Sequence, residues 1–413
     1  AISPLEVSMF QIESKLFFRS KKNLVAILVL LMTILASSLL AGYHNRQAKL
    51  KVIQHYEQSI QNFENIIQDL ETQYQNQALS EEDYQAEQTF FTDYIANYQK
   101  EIEAVKKEDW TYFYEKNIQH YQKDGQYISH VYQSYEFAPQ TIENTFLISK
   151  YLLEKEIPSA FPTELYLTAF EHPKTPTDRE IVKSLGQQAL KGTSHEIWQG
   201  QKLLGLVITL PLFLLTFTNF FIKDQQGTSR QIRLVQTLGL TRIRITTNKY
   251  LAFLTLYTAL FLTLYLSHFL IAFLLNGNSS WIYPVTTYSS KGLAYSFITT
   301  TIKPIYQVIL LACGMHYLYL LFLLGVAQTL ARVLKNGLAG LVVTLGLVIS
   351  ANFFPHIFNP FSLWNAGNLA DGSAIIYQQL TGYSIPKVFT VLLISNLLIY
   401  SLQFYLLTRK SEV

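Results

Sequence analysis

Six stretches of the chain, at about 24–42, 203–222, 250–275, 304–331, 337–354 and 387–407, are apolar almost without interruption. Each approaches the ~20 residues that carry a helix across a bilayer. None contains Asp or Glu, as a lipid solvent requires when a buried acid costs several kcal/mol. Between the first and second runs the pattern changes. Leu50, Ile53, Tyr56, Ile60, Phe63, Ile67, Leu70 and Tyr74 recur at three- and four-residue steps, one stripe of a helix continuous with the first apolar run. SEED at 80–83 reads as a capping box opening a second helix that runs back antiparallel. Gly125 and the proline-bearing FAPQ, IPSAFP and HPKTPTD divide the remainder into shorter helices and loops, and nothing repeats at a solenoid period. The expected fold is an all-α membrane protein: six transmembrane helices, with a helical extracellular domain inserted between helices 1 and 2.

Residues 1–8, AISPLEVS, read as a leftover expression leader ahead of Met9. The expected order is then a cytoplasmic N-terminus at 9–22, a first transmembrane helix at 23–42, the helical extracellular domain at 43–198 and a five-helix transmembrane domain at 199–413. Lys15, Arg19, Lys21 and Lys22 precede the first apolar run in the manner of a signal peptide, but the run is longer than a signal core.

Charge sets the orientation. Residues 43–199 hold 24 of the 29 acids and 14 of the 32 bases, so a net charge of +3 conceals an acidic block and a basic remainder. With the N-terminus inside, the cytoplasmic flanks collect Lys15, Arg19, Lys21, Lys22, the bases between residues 223 and 249, Arg332, Lys335, Arg409 and Lys410. Outer ends then keep Lys202, Lys291, Lys303 and Lys387, and Trp198, Trp281 and Trp364 fall near the outer interface, where aromatic belts form. The expectation is a multi-pass bacterial cell-membrane protein in contact with lipid, with both termini cytoplasmic.

Candidate chemistry is sparse. The chain has no G-x-S-x-G or H-E-x-x-H motif and a single cysteine, Cys313, so no catalytic residue and no metal site is expected. GNLADGS at 367–373 has the glycine spacing of a phosphate loop but no lysine after the second glycine, and is read as a turn. NSS at 278–280 matches a glycosylation acceptor. The Gln-, Asn- and Tyr-rich stretch after residue 43 suits a solvated helical stalk, or else a sugar- or peptide-binding face. His316 and His268 lie within apolar runs, where an ionisable group is a functional candidate. With no carboxylate in any run to pair with them, both are expected to be neutral and bonded to a neighbouring helix.

The most basic amphipathic stretch is KDQQGTSRQIRLVQTLGLTRIRITTNKY, 223–250. It carries Lys223, Arg230, Arg233, Arg242, Arg244 and Lys249 against one acid, Asp224. Thr228 or Ser229 can cap a short helix over 229–238 that presents Ile232, Val235 and Leu238, Gly239 ends it, and Thr241 caps the next helix. A helix, an elbow and a helix at the inner surface fit two roles: gripping anionic headgroups, or docking into a groove on a soluble partner.

Asp224, Gly227-Thr228, Leu234, Thr237-Leu238, Thr241-Arg242, Ile245 and Lys249 resemble the pattern between the second and third spans of ABC-2-type transporter permeases. NPFSLWNAGNLADGS and the closing LLTRKSEV are similar to that family's outer re-entrant segment and short basic tail. The resemblance implies a coupling helix at 224–240, a re-entrant segment near 355–386 and a permease homodimer or heterodimer. It also implies a separate cytoplasmic ABC ATPase carrying ATP and Mg, with no cofactor in this chain, no enzymatic activity of its own and no nucleic-acid partner. Arg230, Arg233, Arg242 and Arg244 would then position the elbow, Gly227 and Gly239 shape it, and Pro211 offers a hinge. The implied activity is export of an amphipathic or lipophilic substrate such as a peptide, antimicrobial or lipid. TLGLTR is also similar to a stretch of FtsX-like and macrolide-exporter permeases, which leaves ATPase-driven mechanotransmission to an extracellular partner as the alternative.

Overall fold

A computed structural model describes residues 14–123, 137–158, 165–186, 192–203, 209–221, 241–290, 298–380 and 382–408. The protein is mostly helical and divides into two compact units. Ala1–Leu39 joins Gly192–Val413 in one, and Leu40–Lys191 forms the other.

In the second unit the apolar stripe closes a helical hairpin. Helix α1, Lys21–Gln75, is met by α2, Glu81–Lys107. Tyr74 stacks on Tyr84, Phe63 packs against Phe91, Tyr94 and Tyr98, and Tyr56 stacks on Tyr98, a descending-ascending order that makes the helices antiparallel. Ser80 caps α2 by accepting the Asp83 N–H at 3.1 Å. Its hydroxyl donates to the Asp83 carboxylate, so that carboxylate is turned to the cap side chain. Tyr56, Ile102, Val105 and Phe113 form the core with α3, Trp110–Lys123. Proline opens α4, Pro139–Glu154, and α5, Pro176–Leu185, at the first helical positions, where a missing N–H costs nothing.

The first unit holds the apolar helices. In chain order they are the first part of α1, up to Leu39, then α7 (Thr209–Phe217), preceded by the more polar α6 (Thr193–Leu203), α8 (Arg242–Asn276), α9 (Ile305–Val333), α10 (Gly337–Ala351) and α13 (Ile385–Thr408), with the short α11 (Ala366–Asp371) and α12 (Ala374–Tyr377) before the last. Among the described residues four helices, α1, α8, α9 and α13, are long and apolar enough to cross a membrane, which marks the chain as membrane-associated. Two thirds of the apolar window of α9 is buried in the protein, against 17% for each of the other three, so α9 is the post around which the unit is built. The fifth apolar run forms a helix of 15 residues, about 22 Å of rise against a hydrocarbon core of about 30 Å. The second run is described as the end of α6 and α7, with 204–208 and 222 outside the described residues.

The all-α expectation needs correcting. Pro284–Ser290 (β1) and Ile298–Pro304 (β2) pair antiparallel, Pro284 opposite Pro304 and Ser290 opposite Ile298. Their β-branched and hydroxyl-bearing residues suit a pleated surface, and hydroxyls bridge the strands at Thr287–Thr301 (2.9 Å) and Ser289–Thr299 (3.0 Å). GNLADGS is likewise more than a turn. Residues 366–371 are helical, Asn365 caps them by accepting the Asn368 N–H at 3.0 Å, and Gly372 ends them at φ +81°.

Helix α10 packs on α9 through a glycine. A Cβ at Gly340 would stand 2.5 Å from the backbone N of Ala331 and 2.6 Å from its Cα, whereas one at Gly346 meets nothing within 4 Å. Gly340→Ala should therefore cost about 1–3 kcal/mol by overpacking, and Gly346→Ala should be neutral or slightly stabilising. Thermal unfolding of the purified variants in detergent checks this contrast. Equal midpoints for the two would show that α10 does not approach α9 this closely.

Candidate functional site: a polar cluster inside the apolar helices

Nine of the residues in the basic segment, Asp224, Gly227, Thr228, Arg230, Arg233, Leu234, Thr237, Leu238 and Gly239, lie outside the described residues. Beyond them, Thr241 caps α8 by accepting the Arg244 N–H at 3.4 Å, and Arg242 is the first residue of the helix. Arg244 is exposed. Lys249, by contrast, is buried, with its ammonium 6.0 Å from the centre of the Phe220 ring. Pro211 falls near the start of the described α7.

Polar side chains gather instead where α6, α7, α8 and α9 meet. His316 of α9 is buried, its Nδ1 2.8 Å from the Tyr265 hydroxyl and its Nε2 3.2 Å from the Thr209 hydroxyl. The Gln201 amide N–H donates to Tyr265 Oη, and lies 4.0 Å from Cys313 Sγ. One proton placement satisfies this chain with His316 protonated on Nε2. Gln201 donates to Tyr265, Tyr265 donates to His316 Nδ1, and His316 Nε2–H donates to Thr209. His316 is thus bonded to neighbouring helices, as the sequence reading expected.

His268 is different. Its Nε2 lies 3.6 Å from the carboxylate of Glu196, so the expectation that no carboxylate would pair with it is corrected. Glu196 belongs to no apolar run. It enters from α6, which is anchored beside the end of α8 by Thr193, whose N–H and hydroxyl donate to Gly277 O at 3.1 and 2.8 Å. The Glu196 carboxylate also accepts from the Ser38 hydroxyl and from Asn276 Nδ2 at 2.7 Å. Burial alone would raise its pKa, but the nearby His268 ring and the bonds from Ser38 and Asn276 outweigh that and hold it below the usual carboxylate value. A Cβ on Gly200 would stand 2.8 Å from His268 Cε1, so glycine is what lets the imidazole lie against α6. The neighbouring His195 is buried edge-on against the Tyr283 ring, and burial drops its pKa to about 4.

A cavity of about 50 Å³ opens within this cluster, walled by Leu30, Ile34 and Leu264 and by polar groups of Thr33, Ser37, Gln201, Tyr265 and the two histidines. Beside it, Lys202 reaches Asp371 at 2.6 Å and lies 5.0 Å over the Trp198 ring, tying α6 to α11. Farther along α9, Tyr250 donates to Gln403, Gln403 to Gln328, and Gln328 to Phe217 O, at 2.9, 3.1 and 3.1 Å. Among the described residues no group of three or more His, Cys, Asp or Glu could hold a metal. Sequence reading found the two histidines but missed Glu196 and Gln201. The available signal was their spacing on α6, with Gly200 between them. No family model, curated protein or solved structure matches the chain.

Proposed function

We propose that this chain is the permease subunit of an ABC-2-type exporter in a bacterial cell membrane, moving an amphipathic or lipophilic substrate. On this reading two copies of a separate cytoplasmic ATPase drive it, and 224–240 is the coupling helix. The observation that carries the reading is the cation-rich segment bearing the ABC-2 pattern, placed directly before the Thr241 cap of an apolar 35-residue helix. Six transmembrane spans, with 337–354 and 203–222 completing the set, belong to the same proposal, as does an extracellular position for the unit at Leu40–Lys191.

Charge reversal tests it. Arg233→Glu with Arg242→Glu should reduce co-purification of the ATPase at least tenfold while the circular dichroism of the permease is unchanged. Undiminished co-purification would remove the docking role. The second unit has its own aromatic core, and that favours mechanotransmission to an outer partner as a second reading. ATP-dependent accumulation of a lipophilic peptide in reconstituted vesicles separates the two, since a transmitter hydrolyses ATP without accumulation.

A further inference from the structure

The hydrogen-bonding balance of the cavity between α1 and the α6–α9 cluster is one-sided. Gln201 is only 7% exposed and lines it, yet its Oε1 has no hydrogen-bond partner among the described residues. The Thr33 hydroxyl spends its proton on Val29 O and that of Ser37 on Ile34 O, both at 2.8 Å. With His316 protonated on Nε2, Tyr265 spends its own on His316 Nδ1. Each of these oxygens keeps lone pairs and has no proton left to give, and Thr209 alone carries a hydroxyl proton not assigned among the described residues. Behind His268, whose Nε2 is 3.6 Å from it, stands the Glu196 carboxylate, which accepts from Ser38 and Asn276. A buried acceptor without a donor bears its full desolvation penalty, so a ligand that supplies donors recovers it.

We propose that this cavity binds a primary alkylammonium group. An –NH3+ head offers three N–H donors and no acceptor, which matches Gln201 Oε1, Thr33 Oγ1 and Ser37 Oγ, and its charge is favoured by Glu196. A hydroxyl offers one proton and leaves two acceptors unused, and a quaternary ammonium offers none. The volume suits a head group of a few heavy atoms. Leu30, Thr33, Ile34 and Ser37 recur at three- and four-residue steps on one face of α1, while Val29 and Met32 are exposed. An alkyl tail leaving the cavity beside α1 therefore runs along apolar side chains. This inference concerns binding and does not depend on the permease reading.

Calorimetric titration tests it on the full chain in zwitterionic nanodiscs, with empty discs subtracted and no ATPase or nucleotide present. Hexylammonium should bind saturably and at least tenfold more tightly than hexyltrimethylammonium or 1-hexanol. Gln201→Leu should weaken it at least tenfold. Thr33→Val with Ser37→Ala, which leaves the Gln201–Tyr265–His316 chain untouched, should weaken it several-fold, and this second variant decides the matter if Gln201→Leu fails to fold. Equal binding of the three probes, no saturable binding of hexylammonium, or unchanged affinity in both variants would overturn the proposal.

Discussion

Lys202→Met should lower the stability of the purified protein by about 2–3 kcal/mol. Asp371 is almost wholly buried and Lys202 about three quarters so. Removing one partner of a buried pair typically costs 3–5 kcal/mol because the other charge is left without compensation, and the residual exposure of Lys202 trims that figure. The Asp371 carboxylate also accepts the Ser373 N–H at 2.8 Å, which an asparagine oxygen can replace. Lys202→Met with Asp371→Asn should therefore recover most of the loss, with the unfolding midpoint in detergent as the measurement. If the two single losses simply add in the double variant, the groups are not coupled, and another contact ties α11 to α6.

Acidification should be the second large effect. His195 carries a pKa of about 4 in the folded protein against about 6.5 in an unfolded chain. The unfolded state thus binds the proton first, and stability falls as the pH drops from about 6.5 towards 4, by about 3 kcal/mol in all. Glu196, whose folded pKa is lowered, adds a further loss below the carboxylate range, with the same sign. His195→Phe keeps a ring against Tyr283 and should flatten the profile between pH 6.5 and 4 while leaving the steeper fall below it. An unchanged profile in that variant would mean that His195 is hydrated and titrates normally.

Where periodicity governs, the sequence was informative. The stripe through Tyr56, Phe63 and Leu70 closes the α1–α2 hairpin and Ser80 caps α2, because one helix face and one local hydrogen bond decide both. Leu50, counted in the same stripe, is exposed, since periodicity does not say where a neighbouring helix begins. The hairpin at 284–304 escaped notice. Its seven-residue strands lie outside the apolar runs but for Pro304, and short hydroxyl-rich strands are recognised by their cross-strand partners. Glu196 escaped for a related reason. Counting acids inside apolar runs treats each helix alone, whereas its carboxylate is stabilised by Ser38, His268 and Asn276 from two other helices. Of the basic segment, Thr241 acts as the expected cap, Lys249 turns inward, and 222–240 lies outside the described residues.

The chain of amides beside α9 has a consequence for biogenesis. Gln328 donates to Phe217 O, a group synthesised before it, but its own carbonyl accepts from Gln403, which the ribosome adds 75 residues later. Until α13 arrives, that carbonyl lacks its Gln403 donor, and the Tyr250 hydroxyl lacks its Gln403 acceptor. A chain ending before residue 385 therefore leaves the amide set on its central post incomplete on both sides of the missing Gln403.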